Sequence, residues 1–120
     1  MAVSYLKKDS SQNQGIFSQE DWSSAYCNVE KELNNAELKL VKGSIPKQIS
    51  GTFYRNGPGR LERGGRWVHH PFDGDGMIAA FKFENGKINL TNRFVRTKEW
   101  AEEEKSQKFL YRGVFGTQKE

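Results

Sequence analysis

The chain has 120 residues, of which 35% are hydrophobic and 28% charged, and its net charge is +4. That length suits one small domain or a piece of a larger one, and no apolar run approaches the length of a membrane span or resembles a signal peptide. One cysteine, Cys27, excludes an internal disulfide framework and makes a reducing, cytoplasmic setting the default, while interspersed charges of both signs identify no acidic partner.

Residues 1–17 are polar and read as a disordered arm. Ser18 with Asp21 three residues on has the form of a capping box, and Trp22 and Tyr26 share one face, so a short helix is predicted from Gln19 to Cys27. Residues 28–36 read as a linker. Alternation around Leu38 and Leu40 predicts a strand over Glu37–Val41, ended by Gly43-Ser44-Ile45-Pro46. Gly51–Arg55 is a second short strand, and Asn56-Gly57-Pro58-Gly59 then predicts a turn or extended loop. Arg60–Arg66 reads as a glycine-broken, solvated loop. Its single Arg-Gly-Gly unit is too little for a nucleic-acid-binding tract.

The clearest local signal lies in Met77–Arg96. Met77, Ala79, Phe81 and Phe83 fall on one face, and Asn85-Gly86 suits a type I′ turn, so a β-hairpin is predicted. Trp100–Phe109 predicts a short polar helix with Glu102–Lys105 and Glu104–Lys108 pairs on its surface. Tyr111–Phe115 reads as the opening of another strand. The whole is mainly β with short peripheral helices.

Candidate chemistry is sparse. His69 and His70 are the only histidines. In extended chain they point to opposite faces and cannot easily reach one ion, so packing or hydrogen bonding to the following turn is the expected role. Asp73-Gly74-Asp75-Gly76 resembles half of a calcium loop, with Glu84 at the twelfth position. Met77 and Ile78 stand where a ligand and a bending glycine are required, so the reading is a tight double turn. Gly74 and Gly76 would supply unusual φ values, and Asp73 and Asp75 would cap backbone N–H groups. Gly57-Pro58-Gly59 lacks the ending of a phosphate loop, and no Ser–His–Asp set can be assigned.

The segments GSIP (Gly43–Pro46), GTFYRNGPG (Gly51–Gly59), HPFDGDGMIAAFKF (His70–Phe83), NRFVRT (Asn92–Thr97) and YRGVFGT (Tyr111–Thr117) together resemble the carotenoid cleavage oxygenase family. The last of these, and SQEDW near Trp22, are similar to its cyanobacterial apocarotenoid branch. The resemblance spans residues 18–120. It implies the N-terminal part of a seven-bladed β-propeller, incomplete here, since one blade takes about 40–45 residues. It implies an iron-dependent dioxygenase that splits a double bond of an (apo)carotenoid with O2 to give carbonyl products.

In the family, Fe(II) is held by four histidines backed by glutamates, and neutral imidazoles suit that ion. Those ligands lie downstream of the matched segments, so no catalytic, cofactor-binding or metal-binding residue carries over, and no bound iron is expected for this chain. What carries over is scaffold: Arg55, Asn56, Gly57 and Pro58 with His70–Gly76, as a framework locking early strands against the rest of the propeller. The expectation is an N-terminal fragment, inactive alone, with membrane contact near Trp22 and pairing with the C-terminal propeller left open. The rival is a non-catalytic β-rich interaction module; a nucleic-acid partner is not expected.

Overall fold

The computed structural model describes residues 24–116. Its main sheet is built from β1 (Ala36–Glu37), β2 (Gly51–Arg60), β5 (Asp75–Glu84) and β6 (Lys87–Phe94), in the order β1-β6-β5-β2 and antiparallel throughout. Between β2 and β5 a small hairpin of β3 (Glu62–Arg63) and β4 (Arg66–Trp67) folds away, followed by a 3-10 turn at Pro71–Asp73. Helix α1 (Lys98–Ser106) closes one end. The disordered arm predicted at 1–17 lies outside the described residues. So does most of the Gln19–Cys27 helix, of which residues 24–25 are helical.

The predicted hairpin is present. β5 and β6 pair from Met77↔Phe94 to Glu84↔Lys87, and Asn85 and Gly86 take φ of 52° and 77°, as a type I′ turn requires. The register puts Phe53, Phe81, Leu90 and Ala36 in one row across the four strands. Met77 and Phe94 lie further along that face and are buried, forming the core with Leu61 and Phe109. Trp100 of α1 stacks on Phe94 with ring centroids 5.9 Å apart. The helix therefore covers one end of the apolar face. It begins at Thr97, whose Oγ1 accepts from the Trp100 N–H at 3.1 Å.

Several local expectations are corrected. The Asn56-Gly57-Pro58-Gly59 run makes no turn: β2 continues through it, with Asn56↔Ile78, Gly57↔Met77 and Pro58↔Gly76, and a register shift only after Pro58. β2 is an edge strand, where a missing N–H donor and a bulge are both tolerated. Leu38–Val41 is not strand. Pairing stops at Glu37, apart from one Leu38 N–H to Ile88 carbonyl bond, and Val41 is 95% exposed.

Residues 28–36 are no slack linker either. The Asn28 carboxamide accepts from the Leu61 and Glu62 N–H groups and donates to the Glu62 carbonyl. Glu32 accepts from the Phe94 N–H at 2.8 Å and pairs with Arg96 at 2.7 Å. Asn92, buried, accepts from Leu33 N–H through its side chain while its own N–H donates to the Leu33 carbonyl. Tyr111–Phe115 is an irregular return segment without strand pairing.

Candidate functional site

Arg60–Arg66, predicted as a solvated loop, contains the most buried large side chain among the described residues. Gly64 and Gly65, at φ 59° and 83°, form a two-residue hairpin turn between β3 and β4. That turn aims Arg63 inward, and its side chain is 0% exposed. Three carboxylates meet it: Asp75 at 2.7 Å, Glu104 at 2.8 Å and Glu103 at 3.0 Å. Arg60 joins from β2, 2.9 Å from Glu104 and 3.9 Å from Asp75. Phe109 lies under the Arg63 guanidinium and Phe94 under that of Arg60.

Two guanidinium groups thus face three carboxylates from four separate elements. The helix predicted as a polar surface element turns Glu103 and Glu104 inward, so Glu104 meets Arg60 and Arg63. Glu103 has a second duty: its Oε1 accepts from the Leu110 and Tyr111 N–H groups at 2.8 and 2.9 Å. One carboxylate therefore ties the sheet hairpin, the helix and the return segment together.

Burial raises the Asp75 carboxyl above its ordinary value of 3.8, and the hydrogen bond and charge of Arg63 only partly oppose it. A raised folded-state value means the native protein takes up this proton at higher pH than the unfolded chain does. The stabilising share is fully present below 3.8 and is lost as pH rises through the folded-state value. Urea melts of wild type and Asp75→Asn at about pH 3.5 and about pH 7 read this directly. Wild type should gain on the variant at the acid point; a gain at neutral pH instead would refute the assignment.

The HPFDGDG and YRGVFGT segments meet beside this cluster. His70 Nδ1 accepts from the Phe72 N–H at 3.1 Å, and the imidazole stacks on Phe115 with centroids 4.5 Å apart. This is the turn-bonding and packing role expected from the sequence for His70. Asp73 accepts from the Phe115 N–H at 2.9 Å. Gly113 presses against the Asp73 carboxylate so closely that a Cβ there would collide with it.

The expected turn geometry of Asp73–Gly76 is corrected. Gly74 has φ −69°, and neither it nor Gly76 has positive φ. Gly74 is needed for space, since a Cβ would stand 2.8 Å from the Arg60 carbonyl oxygen and 2.8 Å from Leu61 Cδ2. Asp75 binds Arg63 rather than capping a turn. The two expected scaffold segments, Arg55–Pro58 and His70–Gly76, meet at Pro58, which pairs with Gly76 and lies against Gly74, while Arg55, Asn56 and Gly57 pair with Ala79, Ile78 and Met77 further along β5.

A cleft of about 340 Å³ opens between these segments, lined by Asn56, Asp73, Val95, Trp100, Tyr111 and Arg112 among others. The Trp100 Nε1–H is buried and finds no acceptor among the described residues. The Tyr111 hydroxyl bonds to Glu102, which raises the phenol above its ordinary range. Asp73, Asp75 and Glu103 on its walls are all engaged in the contacts above. Among the described residues no three His, Cys, Asp or Glu side chains converge as a metal ion would need. The chemistry of this region is anchorage: it fixes one helix and one return segment on a sheet.

Residues 26–120 match the family described as retinal pigment epithelial membrane protein. The chain is 48% identical over 110 residues to apocarotenoid-15,15'-oxygenase of Synechocystis sp., covering 91% of this chain and 22% of that protein. Against the probable chloroplastic carotenoid cleavage dioxygenase 4 of Arabidopsis thaliana it is 36% identical over 86 residues, covering 70% and 14%. Against isoeugenol monooxygenase of Pseudomonas nitroreducens it is 40% identical over 83 residues, covering 69% and 16%. The crystal structure of cobalt-substituted Synechocystis ACO superposes with a TM-score of 0.79 at 48% identity, covering 88% of this chain and 22% of that one. The chain thus spans about a fifth of the length of the first of these relatives, and less of the others.

Proposed function

Since this chain belongs to the retinal pigment epithelial membrane protein family of carotenoid oxygenases, we propose that residues 18–120 supply the N-terminal part of the propeller in an iron-dependent oxygenase that splits a double bond of an apocarotenoid with O2. The observation that carries this reading is the superposition on a metal-substituted oxygenase at 48% identity. Bound iron would supply oxygen activation. The described residues do not fit an iron site: His70 spends Nδ1 on the Phe72 N–H, and no metal-ligating trio gathers around it. No step of the reaction is therefore assigned to these side chains, and the chain alone is proposed to be inactive.

The contribution of these residues is positional. The Arg63 cluster and the Asp73–Phe115 bond hold α1 and the return segment rigidly on the first sheet, so that the later strands of a complete enzyme start from a fixed place. An oxygenase named for isoeugenol shares this stretch. Substrate choice is accordingly assigned to parts of the complete enzyme outside it.

Transplantation tests the reading. Residues 26–116 replace the aligned segment of the Synechocystis oxygenase, Fe(II) and an apocarotenal are added, and loss of polyene absorbance is followed. The chimera should cleave within about tenfold of the parent rate, and the isolated chain should not cleave. A folded but inactive chimera, or turnover by the isolated chain, would refute the proposal.

A further inference from the structure

Asparagine followed by glycine stands at Asn56-Gly57 and at Asn85-Gly86. In such a pair the glycine amide nitrogen can attack the asparagine side-chain carbonyl carbon, since the second residue has no Cβ to obstruct the approach. A C–N bond forms, a five-membered succinimide closes and ammonia leaves. Water then opens the ring at either carbonyl and yields aspartate or isoaspartate.

Gly57 lies within β2, paired with Met77. Asn85 and Gly86 instead form the tip of the β5–β6 hairpin, where Asn85 is exposed to water. The backbone nevertheless opposes attack there. Asn85 has φ 52° and Gly86 φ 77°, and the first central residue of a type I′ turn has ψ of about +30°. Ring closure needs the Gly86 nitrogen nearly eclipsed with the Asn85 Cβ, which in an L residue requires strongly negative ψ. At about +30° the nitrogen stands almost opposite Cβ. The reaction therefore demands that the turn open, and that turn sets the pairing from Glu84↔Lys87 onward.

We propose that Asn85-Gly86 is a spontaneous deamidation site, withheld from reaction by the closed hairpin, whose isoaspartate product stops the hairpin from re-forming. Aspartate at this position is tolerated, because Asp-Gly also suits a type I′ turn. Isoaspartate routes the main chain through Cβ and Cγ. The extra carbon breaks a two-residue loop and the register it fixes between the two central strands of the sheet. One opening event thus leaves a permanent mark.

The test incubates the full chain and a synthetic peptide of residues 83–88 in the same mildly alkaline buffer, and mass-spectrometric peptide mapping follows conversion of amide to acid. An isolated hairpin this short is not stable, so the peptide reports the unprotected rate. Conversion at Asn85 should be at least about tenfold slower in the chain, as expected when it proceeds only from the locally opened state. Asn85→Asp should melt like wild type by circular dichroism, and chain separated as the isoaspartate form should melt lower. Equal rates in chain and peptide overturn the proposal, as does an isoaspartate form that melts like wild type.

Discussion

Arg63→Met should destabilise the protein by about 3–5 kcal/mol, the usual cost of removing one partner from a buried ion pair. The side chain is wholly buried, and its loss leaves Asp75, Glu103 and Glu104 with Arg60 as the single guanidinium in the cluster. The cost comes chiefly from stranded carboxylates rather than from a lost attraction. Neutralising two of them should therefore restore much of it, and Arg63→Met with Asp75→Asn and Glu104→Gln should be more stable than Arg63→Met alone. Glu103 is kept because it also holds the Leu110 and Tyr111 N–H groups. Arg63→Lys should behave nearly as badly as methionine. A point charge cannot present two faces of a fork to three acceptors, and it loses the planar contact over Phe109. Urea unfolding measures all of these; a loss below about 1 kcal/mol for Arg63→Met would put the cluster in the category of surface ion pairs.

Gly74→Ala should cost about 1–3 kcal/mol, the range for overpacking a filled site. The new methyl group would meet the Arg60 carbonyl and Leu61 Cδ2 at 2.8 Å and Pro58 Cβ at 3.0 Å, and a backbone atom cannot swing aside as a side-chain tip can. Gly57→Ala is the matched comparison. It lies on the paired strand, has ordinary φ and has nothing within 4 Å of its Cβ position. That substitution should be neutral or slightly stabilising. Similar melts for the two variants would mean that Gly74 is not held by space.

What the sequence discloses here depends on the range of the interactions. The β5–β6 hairpin is legible because alternation from Met77 to Phe83 and the Asn85-Gly86 turn are local signals. Asn56-Gly57-Pro58-Gly59 misleads for the same reason. Turn propensity is local too, and it cannot show that this stretch lies at a sheet edge, where proline is harmless. Arg63 is out of reach, since its acceptors lie 12, 40 and 41 residues away. The hairpin that orients it does leave a trace, because Gly64-Gly65 between Glu62-Arg63 and Arg66-Trp67 is itself a recognised two-residue turn. The tethers of residues 28–36 are hidden in the same way, as side-chain amides and a carboxylate that read as solvated until their backbone partners are known. At the level of the candidate site, motif order marks the scaffold, while the Asp73–Phe115 bond between two of those motifs requires the folded chain.

The distance in sequence between Arg63 and Glu103 has a bearing on synthesis. During translation the strand hairpin carrying the guanidinium leaves the ribosome some 40 residues ahead of its carboxylate partner on α1. Until then that cation has Asp75 alone within the nascent chain, and water must solvate its other face. Closure of the core around Leu61 and Phe109 therefore awaits α1 and the residues just beyond it, whereas the β5–β6 hairpin needs nothing after Phe94 to pair.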